Sequence, residues 1–118
     1  PWMGVRFFPV SLSQQVAASF AELGAEVPER GVLILSTEPG TPAAKAGLRG
    51  GNRSVNTPYG TIMVGGDAIV AIDGVTIASP SKLVAYLETY TRPGQTIQVT
   101  VLRDKEEITL PVTLGERP

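Results

Sequence analysis

Histidine and cysteine are both absent from these 118 residues. Without histidine there is no Ser-His-Asp triad, no Cys-His pair and none of the common zinc sites. Without cysteine there is no disulfide and no thiolate metal ligand, although that absence does not identify a compartment. A charge excess is missing too: 10 Lys and Arg against 11 Asp and Glu leave a net charge of -1. Scattered signs of this kind argue against nucleic acid as a partner, which would call for a basic face. No apolar run reaches the length of a membrane span, and no segment reads as a signal peptide.

What is present describes a soluble globular protein, with 42% hydrophobic and 18% charged residues. The length fits one domain over residues 1–118, able to bury roughly two-thirds of its extended-chain surface without staples. The chain opens abruptly on an apolar strand. It is therefore expected to be a domain excised from a longer multidomain protein, with the parent's address and an activity lying before Pro1.

That opening, Pro1-Trp2-Met3-Gly4-Val5-Arg6-Phe7-Phe8, is the stretch around which the rest is organised. Gly4 interrupts a strand-like run; it frees the backbone conformation and leaves no side chain over its amide. Successive amides turned toward one point make a small anion-binding concavity. Val5 to Phe8 then read as a strand, rich in β-favouring residues. An amide nest feeding a strand edge can hold a peptide by its C-terminal carboxylate and pair with its backbone. An ordinary first strand with a bulge is the alternative reading of the same residues.

Further along, Ser11 or Ser13 caps a helix with Val16, Ala17, Phe20 and Leu23 on one face, stopped at Gly24. Val32-Leu33-Ile34-Leu35 is a buried strand ended by Pro39-Gly40. Thr41 to Leu48 is a compact helix, with Thr41 as N-cap, Pro42 in the first position, Gly47 closing it and Leu48 returning to the core. Arg49 to Gly66, bracketed by glycine pairs, reads as a protruding β-hairpin. Asp67 to Ile77 is a strand, an Asp73-Gly74 turn and a short strand. Ser79 and Pro80 open a helix to Tyr90 whose apolar face is wider than one core contact needs. Thr96 to Arg103 and Glu106 to Leu114 are strands joined at Asp104-Lys105, with Ile97, Val99, Val101, Ile108, Leu110 and Val112 inward. The expected fold is α+β, mostly β: a small partly open barrel or roll with two helices plus a short one at its mouths.

Three chemical motifs fall away on inspection. Ser79-Pro80-Ser81-Lys82 matches the S-x-x-K element of serine acyl-enzymes, but its Ser-Asp-Asn and Lys-Thr-Gly companions are missing and Ser79 is explained as a cap. Gly50-Gly51 is not followed by the Gly-Lys-Ser/Thr of a phosphate loop. Asp67 and Asp73 flank a strand and lack the other ligands of a calcium loop. No cofactor or metal is expected.

The ordered blocks Gly31-Val32-Leu33-Ile34, Pro39-Gly40-Thr41-Pro42-Ala43-Ala44-Lys45-Ala46-Gly47-Leu48 and Gly66-Asp67-Ala68-Ile69-Val70-Ala71-Ile72-Asp73-Gly74 resemble a PDZ domain. Trp2-Met3-Gly4-Val5 is similar to the carboxylate-binding loop of PDZ domains that follow the protease domain in HtrA/Deg-type serine proteases. Leu102-Arg103-Asp104 and the closing run from Val112 to Pro118 fit such proteases as well. The resemblance covers nearly the whole chain; the departure from it is the Arg49–Gly66 insertion. It implies the circularly permuted, protease-type PDZ topology, and a chain that does no chemistry itself but serves a linked serine endopeptidase.

The resemblance further implies that Trp2, Met3, Gly4 and Val5 form the carboxylate loop, with the amides of Met3, Gly4 and Val5 on the terminal oxygens. Val5, Arg6 and Phe7 then lie on the strand that the ligand extends, and Arg6 either touches a ligand side chain or is a solvated edge charge. Val84 and Leu87, three apart on the helix from Pro80, would line an apolar pocket with Met3 and Val5, while Leu83 and Tyr86 face the core. A core role for all four helix residues is the alternative. The implied partners are exposed hydrophobic C-termini of misfolded or cleaved proteins and the chain's own protease domain, in a trimeric, extracytoplasmic parent. The rival function is an assembly domain packed against its protease or a sister domain, with no free ligand. A third reading places the same module in another PDZ-bearing membrane or processing protease.

Overall fold

In the computed structural model, which describes residues 2–116, the strands are β1 (Val5–Phe7), β2 (Val32–Thr37), β3 (Arg53–Thr57), β4 (Gly60–Val64), β5 (Ala68–Ile72), β6 (Val75–Thr76), β7 (Thr96–Arg103) and β8 (Glu106–Thr113). The helices are α1 (Gln14–Glu22), α2 (Pro42–Ala46) and α3 (Pro80–Tyr90). Pro1, Arg117 and Pro118, the ends of the resembling stretches, lie outside the described residues.

Each helix starts on a hydroxyl cap, because the first amides of a helix have no partner within it. Ser13 accepts from the Val16 amide at 3.1 Å, Thr41 from Ala44 at 3.4 Å and Ser79 from Lys82 at 3.1 Å. Pro42 and Pro80 sit in the first helical turn, where a missing N–H costs nothing. Gly47 closes α2 in the left-handed region at φ +90°, and the Leu48 amide bonds back to Ala43 O at 3.1 Å while its side chain is buried. Leu23 departs from the expected inward face of α1. It is the C-cap, where the helix has already ended, and its side chain is exposed.

The main sheet runs β1-β2-β5-β7-β8, with β6 paired to β5, and β3-β4 form a separate hairpin. The sheets stay open, not closed into a barrel, with β1 and β8 at opposite ends of the path. Side chains alternate across a strand. Val32 and Ile34 of β2 enter one cluster with Ala43 of α2 and with Leu83 and Tyr86 of α3. Leu33 enters the other, with Phe8, Phe20 of α1, and Val55, Ile62 and Val64 of the hairpin. The segment expected to protrude therefore covers a second hydrophobic cluster, and Arg53 Nη2 ties it to Gly24 O at 2.7 Å.

Asp73, one of the two carboxylates weighed as calcium ligands, serves the β5–β6 turn instead. Its Oδ1 accepts from the Gln98 amide at 2.8 Å and its Oδ2 faces the Tyr86 hydroxyl at 3.5 Å. Burial, then the Asp73 carboxylate, pushes the Tyr86 phenol above its ordinary value.

Candidate functional site

The loop ahead of β1 is moulded onto α2. Ala43 N–H donates to Met3 O at 2.8 Å, and Glu38 N–H donates to Gly4 O at 3.1 Å. Gly4 sits at φ +83°, and a Cβ there would stand 2.6 Å from Thr41 Cγ2 and 2.7 Å from Thr41 Oγ1. Only glycine satisfies both the conformation and the space. Among the described residues, the Met3 and Gly4 amides donate to no acceptor.

Register decides which way β1 presents its backbone. Val5 lies opposite Thr37, and the bond from Glu38 N–H to Gly4 O joins the residues flanking that pair. Flanking bonds mark a non-hydrogen-bonded pair, so the Val5 N–H and C=O point away from β2. Phe7 lies opposite Ile34, and the Phe8 amide donates to Leu33 O at 2.9 Å, so the Phe7 groups face the same way. Since β1 is the end strand, that row of donors and acceptors is unpaired among the described residues.

Beside it lies a cleft of about 430 Å³, lined by Phe7 of β1 and by Pro80, Ser81, Val84, Ala85 and Glu88 of α3. Ser81, Val84, Ala85 and Glu88 recur at helical spacing and form one stripe. Leu83 and Tyr86 fall on the buried side of the same helix. The wall is apolar except for the Ser81 hydroxyl and the Glu88 carboxylate.

The expected pocket of Met3, Val5, Val84 and Leu87 is thus drawn differently. Val84 is 42% exposed and faces the cleft, with Phe7 opposite. Met3 is 2% exposed within the core, and Val5 and Leu87 are half-buried against the same cluster. The reason is the helical period: Leu87 belongs to the stripe next to Val84, nearer the core. Trp2 is half-buried and bridges to Gly115, whose amide donates to Trp2 O at 3.1 Å. Arg6 is exposed. Sequence reasoning missed Ala85 and Glu88 on the wall, and Thr41 and Ala43 behind the loop; the spacing of 81, 84, 85 and 88 was the available signal for the former.

Among the described residues no group of three His, Cys, Asp or Glu side chains is placed to hold a metal ion, and no helix is long and apolar enough to cross a membrane.

These features define an α+β domain with an unpaired sheet edge running beside a helix. A sequence model described as PDZ domain matches residues 1–114, and the chain belongs to that family. It is 32% identical over 117 residues to a probable periplasmic serine endoprotease, DegP-like, of Halomonas elongata, spanning 99% of this chain and 20% of that protein. It is 30% identical over 118 residues to the chloroplastic protease Do-like 1 of Arabidopsis thaliana, spanning 100% of this chain and 23% of that protein. The chain thus spans about a fifth of the length of these relatives. Among solved structures it resembles the HtrA-type protease AlgW with a decapeptide, at 27% identity, 99% and 29% coverage and a TM-score of 0.64. The HtrA3 PDZ domain bound to the phage-derived ligand FGRWV shares the fold at 16% identity, with 95% and 82% coverage and a TM-score of 0.63.

Proposed function

We propose that this chain captures the C-terminal end of a polypeptide by adding it as a strand to β1, with the terminal carboxylate on the amides of Met3, Gly4 and Val5. The observation that carries this reading is the pair of free amides at Met3 and Gly4, followed by the outward, unpaired main-chain groups of Val5 and Phe7. A buried amide ordinarily has an acceptor, and a carboxylate is a strong one. An antiparallel peptide held there pairs successive outward positions with Val5 and Phe7, which lays its side chains along the cleft against α3. The apolar wall favours Val, Leu, Ile, Ala or Phe at the terminus; panels preferring C-terminal Asp or Lys contradict it. The similar HtrA-type protease AlgW was solved with a decapeptide, which supports a peptide as the ligand class.

By kinship with the DegP-like endoproteases, residues 1–118 act as a single domain of a longer, extracytoplasmic protein. In that protein the domain presents exposed hydrophobic C-termini of misfolded or cleaved proteins to a linked serine endopeptidase, and this chain performs no hydrolysis.

The deciding experiment titrates the chain with a peptide ending in Val, as free acid and as C-terminal amide, following Trp2 fluorescence. The free acid is expected to bind at about micromolar affinity, roughly -8 kcal/mol, and the amide at least about tenfold more weakly. Equal binding, or none, rejects the carboxylate site and favours an assembly role. A second measurement tests the wall. Val84→Asp places a charge in the cleft at an exposed position, so stability is expected to change by less than about 0.5 kcal/mol. Peptide affinity is expected to fall by about 1–2 kcal/mol, because a ligand side chain then meets a carboxylate that must shed water instead of an apolar wall. Unchanged affinity would remove α3 from the site.

A further inference from the structure

Asp67 is the most enclosed ionisable group in the chain's described residues, its side chain 2% exposed, and it is fully engaged. Arg103 Nε donates to Asp67 Oδ1 at 2.9 Å and Arg103 Nη2 to Oδ2 at 2.8 Å. The Arg49 amide donates to the same Oδ2 at 2.9 Å, and the Asp67 amide returns a bond to Arg49 O at 2.9 Å. Arg103 Nη2 also donates to Gly47 O at 2.8 Å, the carbonyl that ends α2. Those hydrogen bonds to Asp67 hold the guanidinium above its usual value. One fork therefore joins the start of β5, the end of β7 and the C-terminal end of α2.

The other end of α2 is the floor of the Gly4 loop, through Ala43 N–H on Met3 O and Thr41 under Gly4. Thr41 Oγ1 donates to Glu38 O at 2.6 Å, and Glu38 holds Gly4 O. A helix of five residues has no rigidity of its own in water, so its position is set by the packing of Ala43, Ala46 and the following Leu48 on the core and by what grips its ends. A buried ion pair is also a poor device for stability alone, because the cost of desolvating both charges offsets most of the attraction. What a bidentate arginine supplies is geometry.

We propose that the Asp67–Arg103 pair is a positioning device for the carboxylate-binding loop: it fixes the C-terminal end of α2, and α2 sets the Met3 and Gly4 amides. The proposal rests on the peptide-binding reading above. Neither residue touches the ligand; both act through Gly47, Thr41 and Ala43. The pair borders a polar cleft of about 470 Å³ lined also by Arg49, Gly50, Asn52, Gly65, Gly66 and Asp104, so the fork is reached from solvent.

The test is the ratio of free-acid to amide affinity in Arg103→Met and Arg103→Lys, at a temperature where both are folded by circular dichroism. A positioning role is expected to lower that ratio about fivefold or more in Arg103→Met, a coupling of ordinary size. Arg103→Lys, which keeps the charge but loses the fork, is expected to recover part of it. Equal weakening of both peptides, or an unchanged ratio in a destabilised variant, overturns the proposal and leaves a structural pair only. Where Arg103→Met does not fold, the ¹⁵N–¹H resonances of Met3, Gly4 and Val5 in free Arg103→Lys decide: displaced resonances support the proposal and unmoved ones overturn it. A wild-type chain that fails to discriminate acid from amide is a separate result, and rejects the peptide site itself.

Discussion

Gly4→Ala is expected to lower affinity for a free-acid peptide by about tenfold or more and to reduce stability by about 1–3 kcal/mol. Two penalties add at this position. The backbone is left-handed at φ +83°, where an L side chain is strained, and the new methyl would stand 2.6 Å from Thr41 Cγ2. Thr41 cannot yield cheaply, because its hydroxyl both donates to Glu38 O and caps α2. The loop must therefore lift, carrying the Met3 and Gly4 amides off the position a carboxylate would occupy. The measurement is a paired titration with acid and amide peptides beside a urea unfolding curve. Loss confined to the acid peptide, with the amide unaffected, is the expected signature. A variant that binds the acid as tightly as wild type would show that these amides do not hold it.

Phe8→Ala is expected to produce the largest change in stability, about 3–5 kcal/mol, the range for deleting a buried aromatic ring. Phe8 is 0% exposed and lies at the centre of the second hydrophobic cluster. Its ring meets Phe20 of α1 edge-on at 5.7 Å between centroids, and Tyr59 at the hairpin tip at 5.5 Å. Removing it loosens β1, α1 and the hairpin from one another at once. Against a domain stability of about 5–15 kcal/mol this is a large fraction, read directly as a lower urea midpoint. Peptide affinity of the molecules that remain folded is expected to stay near wild type, because the outward groups of Val5 and Phe7 are set by pairing with β2. A loss below about 1 kcal/mol would mean that the hairpin closes over the gap. The two variants thus separate the loop's chemistry from the packing that carries it.

The helices were legible because their ends are written locally. Thr41-Pro42 with Gly47, and Ser79 with Pro80, each combine a side chain that satisfies free amides with a residue whose backbone is already suited to its place. Alternation likewise exposed β7 and β8: Ile97, Val99, Val101 and Val112 are fully buried, and Ile108 and Leu110 are half-buried against the same cluster. The glycine at position 4 was conspicuous for the same local reason. The groove was less legible. Val84 and Leu87 are both apolar and three apart, and only the rotation of α3 against the sheet places Val84 in the cleft and Leu87 on the core.

The 49–66 segment shows the limit of composition. Its glycine brackets indicate hinges, yet whether Val55, Ile62 and Val64 are buried depends on α1 and Phe8 arriving on the same face of the sheet. The Asp67–Arg103 pair has no local signature, since its members are 36 residues apart, in two separate blocks of the chain, and nothing near either one points to the other. Sequence by itself determined the elements, their caps and turns, the glycine-bound loop, and the chemistries excluded by the missing histidine and cysteine. These rest on interactions within a few residues. Only the tertiary structure decided which way the Val5 and Phe7 groups of the expected edge strand face, that Val84 and not Leu87 lines the cleft, that the sheet has two cores, and that α2 lies between a buried ion pair and the loop. Those outcomes are set by packing between distant segments, whose pairing no local pattern specifies.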